Sequence, residues 1–162
     1  METISIKPLK QNDKEWVKTL LEKSWGSIEI VTRGKITNAA ELPGFKAVIS
    51  GRDIGLVTYK MHDSDCEIVT LDSIVENKGI GNKLIKEVIK KAKENRCGRI
   101  FLITTNDNMK ALRFYQKRGF ILAILFPNAL AESRKLKPKI PKIGIDGIPL
   151  RDEIELEMKL NW

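Results

Sequence analysis

The stretch Glu76-Asn77-Lys78-Gly79-Ile80-Gly81-Asn82-Lys83 leads out of a strand-like segment and into a helix-like one. Residues 66–75 before it favour a strand, and the apolar positions of residues 81–94 after it recur at helical spacing. Its two glycines permit a close approach of the backbone to a ligand, and the free amides of a first helical turn attract anions. The stretch therefore predicts an anion site at a strand-to-helix junction, with a diphosphate as its natural occupant and two lysines adding positive charge.

Two well-known phosphate-binding motifs do not match this stretch. It is not a Walker loop, because no Gly-Lys-Ser/Thr sequence follows the glycines. It is not a complete dinucleotide fingerprint either, because Leu84 occupies the third glycine position. On these residues alone, a simple turn built with two glycines stays open as an alternative.

A second segment, Asn108-Met109-Lys110-Ala111-Leu112-Arg113-Phe114-Tyr115-Gln116-Lys117-Arg118-Gly119-Phe120, follows the strand predicted at residues 99–104. With both segments in this order, residues 66–126 resemble the GNAT superfamily of acetyl-CoA-dependent N-acetyltransferases. The motif of that superfamily has the form Gln/Arg-x-x-Gly-x-Gly/Ala, followed after a helix and a strand by Asn-x-x-Ala-x-x-Phe/Leu-Tyr-x-x-x-Gly-Phe. Two places depart from it: Glu76 stands where the family has Gln or Arg, and residues 71–75 replace its Val-x-Pro.

The resemblance implies an α/β fold, the GNAT-like acyl-CoA N-acyltransferase fold, with a mixed sheet of six or seven strands and helices on both faces. We expect a single domain over residues 1–162, with the cofactor motif at about 66–126 and an insertion plus the last strand at 127–162. Residues 33–42 are interpreted as a polar connection, and the glutamates of the strand at 152–160 as a solvated face. The other predicted strands are 3–7, 28–32, 45–50, 54–59, 66–75, 99–104 and 120–126, and the helices end at Trp25 or span 81–94, 109–118 and 128–136.

The resemblance also implies how acetyl-CoA would bind as co-substrate. The amides of the glycine stretch would hold the pyrophosphate, and the pantetheine arm would pair like an added strand where the preceding strand splays from the one at 99–104. Asn108 would hydrogen-bond the pantetheine arm or nearby backbone, although it also fits a plain helix N-cap. The implied cofactor residues are Ser73, Ile74, Val75, Asn77, Lys78, Gly79, Ile80, Gly81, Asn82, Lys83, Asn108 and Tyr115.

The implied reaction transfers an acetyl group to a primary amine, on a small molecule or a peptide or protein N-terminus, by direct attack in a ternary complex. Tyr115 would protonate the departing thiolate as general acid, unless its ring only packs against its helix neighbours. An amide at Ile74 or Val75 is the candidate donor to the oxyanion. A carboxylate must accept the proton of the amine, and Glu67 is favoured. The alternative bases are Asp72, Glu132 and Asp152, and the candidates for the acceptor side are Trp25, Arg33, Arg134 and Arg151.

The composition of the chain limits which ligands, nucleic-acid partners and metal sites are compatible with it. The 162 residues carry 29 Lys and Arg against 21 Asp and Glu, a net charge of +8, which favours an anionic ligand. The lysines are dispersed and not interleaved with aromatic residues, so a nucleic-acid partner is disfavoured. One histidine and two isolated cysteines, Cys66 and Cys97, cannot complete a four-ligand metal set, and we expect two reduced thiols.

Targeting and assembly are less constrained by the residues. No apolar run reaches the about 20 residues of a membrane span, and residues 1–15 lack the pattern of a signal peptide. We therefore expect a cytoplasmic protein with no membrane partner. A non-catalytic CoA-binding regulator is the alternative function, and a homodimer is left open.

Overall fold

The computed structural model describes residues 3–76 and 78–161. Contacts within the chain group into two compact units. The first unit is Met1–Ile30, Asn38–Ile100 and Leu160–Trp162, and the second is Val31–Thr37 and Phe101–Lys159. Among the described residues, no helix is long and apolar enough to cross a membrane. The expectation of a single domain over the whole chain stays a prediction.

The described residues form strands and helices in an order close to the one that the sequence predicts. The strands are β1 (Ser5–Pro8), β2 (Glu29–Thr32), β3 (Lys35–Asn38), β4 (Gly44–Ile49), β5 (Arg52–His62), β6 (Asp65–Ser73), β7 (Arg99–Thr105), β8 (Ile121–Phe126) and β9 (Glu153–Lys159). The helices are α1 (Lys14–Trp25), α2 (Ile80–Glu94), α3 (Met109–Lys117) and α4 (Ala129–Leu136). Seven strands form one mixed sheet in the order β1-β4-β5-β6-β7-β9-β8, and β2 and β3 form a separate pair, which confirms the predicted mixed α/β fold.

In the first unit, helix α2 packs closely on strand β5. The apolar stripe of α2 is buried at Leu84, Ile85 and Val88, as its helical spacing predicts. Gly55 of β5 makes the close approach possible, because a Cβ at this position would lie 2.6 Å from Cγ2 of Ile80. The first residue of α2 is therefore anchored in the core, which fixes the position of the turn that precedes it.

The predicted polar connection at residues 33–42 is wrong, because the chain forms a hairpin there. β3 pairs with β2 across a turn at Arg33 and Gly34, and both residues have positive φ, of 51° and 70°. A 3-10 turn then spans Ala39–Glu41, where the side chain of Asn38 accepts a hydrogen bond from the amide of Ala40. The polar residues of β3 give no alternation from which a strand could be predicted.

The predicted solvated face of glutamates on β9 is also wrong. Glu153 and Glu155 are buried, with exposed fractions of 1% and 6%. β9 lies between β7 and β8 in the sheet, and the carboxylate of Glu153 accepts a hydrogen bond from the amide of Arg33 in the turn of the β2–β3 hairpin. Strand β8 is the last strand of the sheet, and its apolar side chains are exposed. Alternation along a sequence predicts a strand but not which of its two faces is covered.

Candidate functional site

The glycine turn lies at the N-terminus of α2 in the first unit. Gly79 is the N-cap in the left-handed conformation, with φ +70°, and its carbonyl accepts a hydrogen bond from the amide of Lys83 at 3.1 Å. A Cβ at Gly79 would meet no atom of residues 3–76 and 78–161 within 4 Å, so the space beside this backbone is open to that part of the chain. The first amides of a helix have no acceptor inside the helix. This junction therefore fits the approach of an anionic group to the backbone.

The predicted residues of this turn differ in how exposed they are. Ile80 is buried at 1% exposure, so only its backbone is available to a ligand. Gly81 and Asn82 are half-buried. Lys78, Gly79 and Lys83 are exposed, which leaves both lysine charges in solvent at the turn. The predicted cofactor residue Asn77 lies outside the described residues.

The end of β6 is held by local hydrogen bonds. The hydroxyl of Ser73 donates to the carbonyl of Val75 at 2.6 Å, which brings two of the predicted cofactor residues together. The amide of Ile74 donates to the carbonyl of Ile54 at 2.8 Å. Of the two amides considered as donors to the oxyanion, that of Ile74 is therefore already engaged, and Val75 is the better candidate.

Asp72, also at the end of β6, contacts the last residue of α1. The indole Nε1 of Trp25 donates to both carboxylate oxygens of Asp72, at 3.1 Å and 2.9 Å. Burial raises the pKa of Asp72, and the hydrogen bonds from Trp25 and Ser24 oppose that rise. The structure thus joins one candidate base to one candidate acceptor-side residue, although 47 positions separate them in sequence.

Glu67, the favoured base, has a different environment on the same strand. Its carboxylate lies 2.8 Å from Nε2 of His62, the last residue of β5. Glu67 lies six positions before Ser73, which is about 20 Å along a strand. The structure therefore does not bring Glu67 to the end of β6, and its role as base stays a prediction.

In the second unit, Asn108 and Tyr115 occupy the two ends of α3. The side chain of Asn108 caps the helix by accepting a hydrogen bond from the amide of Ala111 at 3.1 Å, so the N-cap interpretation is confirmed. Tyr115 is buried, and its ring packs edge-to-face against Phe114 and Phe120 at centroid distances of 5.0 Å and 5.3 Å. The role of its hydroxyl as general acid stays a prediction.

The insertion after β8 is tied to the end of β7 by two residues that the sequence analysis did not select. The buried carboxylate of Asp107 accepts a hydrogen bond from the amide of Ile145 at 2.8 Å. Asn106 accepts hydrogen bonds from the amides of Arg151 and Asp152, at 3.0 Å and 2.9 Å. Asn106 and Asp107 lie between a predicted buried strand and a predicted helix, in a segment rich in residues that cap helices. No other sequence feature distinguishes them.

Arg134, on α4, also stabilises the insertion through hydrogen bonds to its backbone. Its guanidinium donates to three backbone carbonyls, at Ile140, Pro141 and Leu150. Three such bonds from one fixed planar group fold residues 140–150 around the end of α4. Arg134 therefore serves as an anchor of this segment.

The other candidate residues of the second unit are engaged locally. The carboxylate of Asp152 accepts hydrogen bonds from the amide of Asn128 and from Arg151. Glu132 is exposed and pairs with Lys135 at 3.0 Å. Arg33 lies over the ring of Phe126, 3.5 Å from its centroid. In the described parts of the chain, no group of three or more His, Cys, Asp or Glu side chains is arranged to hold a metal ion.

Comparison with known proteins finds a family model that spans both the glycine turn and α3. The model of the acetyltransferase (GNAT) family matches residues 15–120, which include both segments. The chain belongs to the GNAT family of acetyltransferases. It is 48% identical over 150 residues to the uncharacterized protein YdhI of Bacillus subtilis strain 168, covering 92% of this chain and 94% of that protein.

Solved GNAT structures share the fold over almost the full length. A GNAT family acetyltransferase from Elizabethkingia anophelis with acetyl-CoA bound is 25% identical, with a TM-score of 0.68, covering 97% of this chain and 98% of that one. A Bacillus subtilis acetyltransferase in complex with CoA is 19% identical, with a TM-score of 0.68, covering 99% of this chain and 100% of that one. The predicted fold family is thus confirmed.

Proposed function

We propose that this protein is an N-acetyltransferase that transfers an acetyl group from acetyl-CoA to a primary amine, by direct attack in a ternary complex. The observation that carries the proposal is the open, left-handed Gly79 at the start of α2, in a chain of the GNAT family. Acetyl-CoA as co-substrate is consistent with the CoA and acetyl-CoA bound to its structural neighbours. A cytoplasmic location stays a prediction.

The proposal gives each predicted residue one role. Backbone amides from Asn77 to Asn82 hold the pyrophosphate, with Lys78 and Lys83 adding positive charge. Residues 73–75 and Asn108 bind the pantetheine arm, and the amide of Val75 donates to the oxyanion.

Chemically, the neutral amine nitrogen attacks the thioester carbon, and the C–S bond breaks. Tyr115 gives its proton to the departing thiolate. A carboxylate takes the proton that the amine loses, and Glu67 is one candidate for it.

The direct test is a calorimetric titration of acetyl-CoA into the wild type and Gly79→Ala. A Cβ at the open turn should weaken binding by about tenfold or more, since the diphosphate would approach the backbone there. Gly51→Ala is the matched control, because Gly51 has nearly the same φ, +75°, and equally open space. The proposal is wrong if the wild type binds no acetyl-CoA, or if both variants lose affinity equally.

Glu76 favours one second candidate, a CoA-binding protein without catalysis. An exposed carboxylate replaces the family's Gln or Arg beside the predicted diphosphate site. Such a protein would bind acetyl-CoA but release no thiol with any primary amine. Thiol release with even one amine, abolished by omitting that amine, would exclude it.

A further inference from the structure

The pair formed by Asp72 and Trp25 has the composition of an amine-binding site, and it lies within the first unit. Asp72 is the last but one residue of β6, directly before the Ser73–Val75 segment to which the pantetheine arm is assigned above. Trp25 ends α1, where Gly26 turns the chain with φ 76°. Trp25 is 44% exposed, so a ligand can reach it from solvent.

Asp72 is held by neutral donors. Within residues 3–76 and 78–161, its hydrogen-bond partners are the indole of Trp25 and the side chain of Ser24. Two of the other candidate bases have cationic partners, Glu132 with Lys135 and Asp152 with Arg151, and Glu67 contacts the imidazole of His62. A carboxylate oriented by neutral donors keeps its negative charge available to an incoming cation.

We propose that Asp72 and Trp25 form the binding site for the acceptor amine, with Asp72 as the base. The inference rests on the proposed acetyltransferase function. The carboxylate binds the ammonium group and accepts one of its protons, which leaves a neutral amine whose lone pair attacks the thioester carbon. The carboxylic acid then returns its proton to water. Trp25 orients the carboxylate through its N–H and offers its ring face to the cation.

Burial supports the role of base. Burial raises the pKa of Asp72. The difference in pKa between this carboxylic acid and an ammonium group is therefore smaller than for a solvated aspartate, which makes the proton transfer less unfavourable. The site also defines a substrate class. A carboxylate on the carbon that bears the nitrogen would lie against Asp72 and be repelled, so the expected acceptors are primary amines without one, including peptide N-termini.

The test uses two pairs of probes that differ only in that carboxylate: phenethylamine against phenylalanine, and alaninamide against alanine. Tryptophan fluorescence reports binding, and thiol release from acetyl-CoA reports turnover. We expect the amine of each pair to be preferred by about tenfold or more in both measurements. The fluorescence response should disappear in Trp25→Phe and persist in Trp16→Phe.

Asp72→Asn should raise the KM of the amine, lower kcat, and remove the preference within each pair. Asp63→Asn is the matched control, because Asp63 is exposed in the turn between β5 and β6. A calorimetric titration of acetyl-CoA separates the proposed cofactor site from the proposed amine site. The affinity for acetyl-CoA should be unchanged in Asp72→Asn. If acetyl-CoA binds but no amine gives a saturable response, or the preference survives in Asp72→Asn, the amine site is wrong and the cofactor site stands. If the wild type binds no acetyl-CoA, the proposed function fails.

Discussion

The carboxylate of Glu153 accepts a hydrogen bond from the backbone amide of Arg33 at 3.0 Å, and so joins the start of β9 to the turn of the β2–β3 hairpin. The side chain of Arg33 lies over Phe126, the residue opposite Glu153 in the β8–β9 register. A buried glutamate thus satisfies an amide in a turn where a non-glycine residue has positive φ. This explains why a charged residue occupies a position with 1% exposure.

Glu153→Gln should change how stability depends on pH. Burial raises the pKa of Glu153, and the amide and charge of Arg33 oppose that rise. Between the ordinary pKa and the raised one, the folded chain binds more protons than the unfolded chain, so this group makes the free energy of unfolding fall as pH rises. We expect Glu153→Gln to lack that part of the slope and to be at least as stable as the wild type above the window.

Glu153→Ala provides the contrast, measured by thermal unfolding at the same pH values. It leaves the amide of Arg33 without its acceptor, and we expect a loss of about 1–3 kcal/mol. Equal pH slopes in the wild type and Glu153→Gln would show that this carboxylate does not titrate within the measured range.

Gly55→Ala should destabilise the first unit. The added Cβ would lie 2.6 Å from Cγ2 of Ile80 and 3.2 Å from Cδ1 of Leu84, so α2 must move away from β5. We expect a loss of about 1–3 kcal/mol in the free energy of unfolding. Gly98→Ala is the control, since the nearest atom to its Cβ is the carbonyl oxygen of Ser64 at 3.9 Å, and its stability should change little. If both variants unfold at the same temperature, the contact between Gly55 and α2 accommodates a Cβ, and the close packing of α2 on β5 is wrong.

The elements that the sequence predicted well are those whose pattern is local. The spacing of apolar residues predicted α2 to within one residue of Ile80–Glu94, and Asn108 predicted the start of α3 through its capping side chain. β3 was missed because its polar residues pair only with their hairpin partner. The burial of Glu153 could not be predicted, because its hydrogen-bond partner Arg33 lies 120 positions away in the sequence.

The same distinction holds for the candidate site. A motif of backbone amides at a glycine turn can be recognised from spacing, because the ligand contacts lie within a few residues of one another. The hydrogen bonds between Trp25 and Asp72 join positions that belong to different elements, and no pattern along the chain relates them. Asp107 was likewise overlooked, since its partner Ile145 lies 38 positions away.

Arg134→Met should loosen the insertion without unfolding the chain. The variant keeps an apolar stem but loses the donors to three carbonyls, at Ile140, Pro141 and Leu150. We expect the amides of Gly144 and Leu150, which are hydrogen-bonded within this segment, to exchange with deuterium about tenfold faster or more. Lys135→Met is the control, because Lys135 is exposed and pairs with Glu132, its neighbour on α4. Unchanged exchange in Arg134→Met would mean that Asp107 and Asn106 alone hold the segment.

Tyr115→Phe tests whether the buried tyrosine has a chemical role. Phenylalanine preserves the edge-to-face packing with Phe114 and Phe120, so the variant should still fold and bind acetyl-CoA. If the hydroxyl protonates the thiolate, kcat should fall by about 10²–10⁴. Tyr59→Phe is the matched control, since Tyr59 is a buried tyrosine of the first unit that stacks on Phe45. An unchanged kcat in Tyr115→Phe would assign the residue to packing alone, because the one group removed is the proposed proton donor.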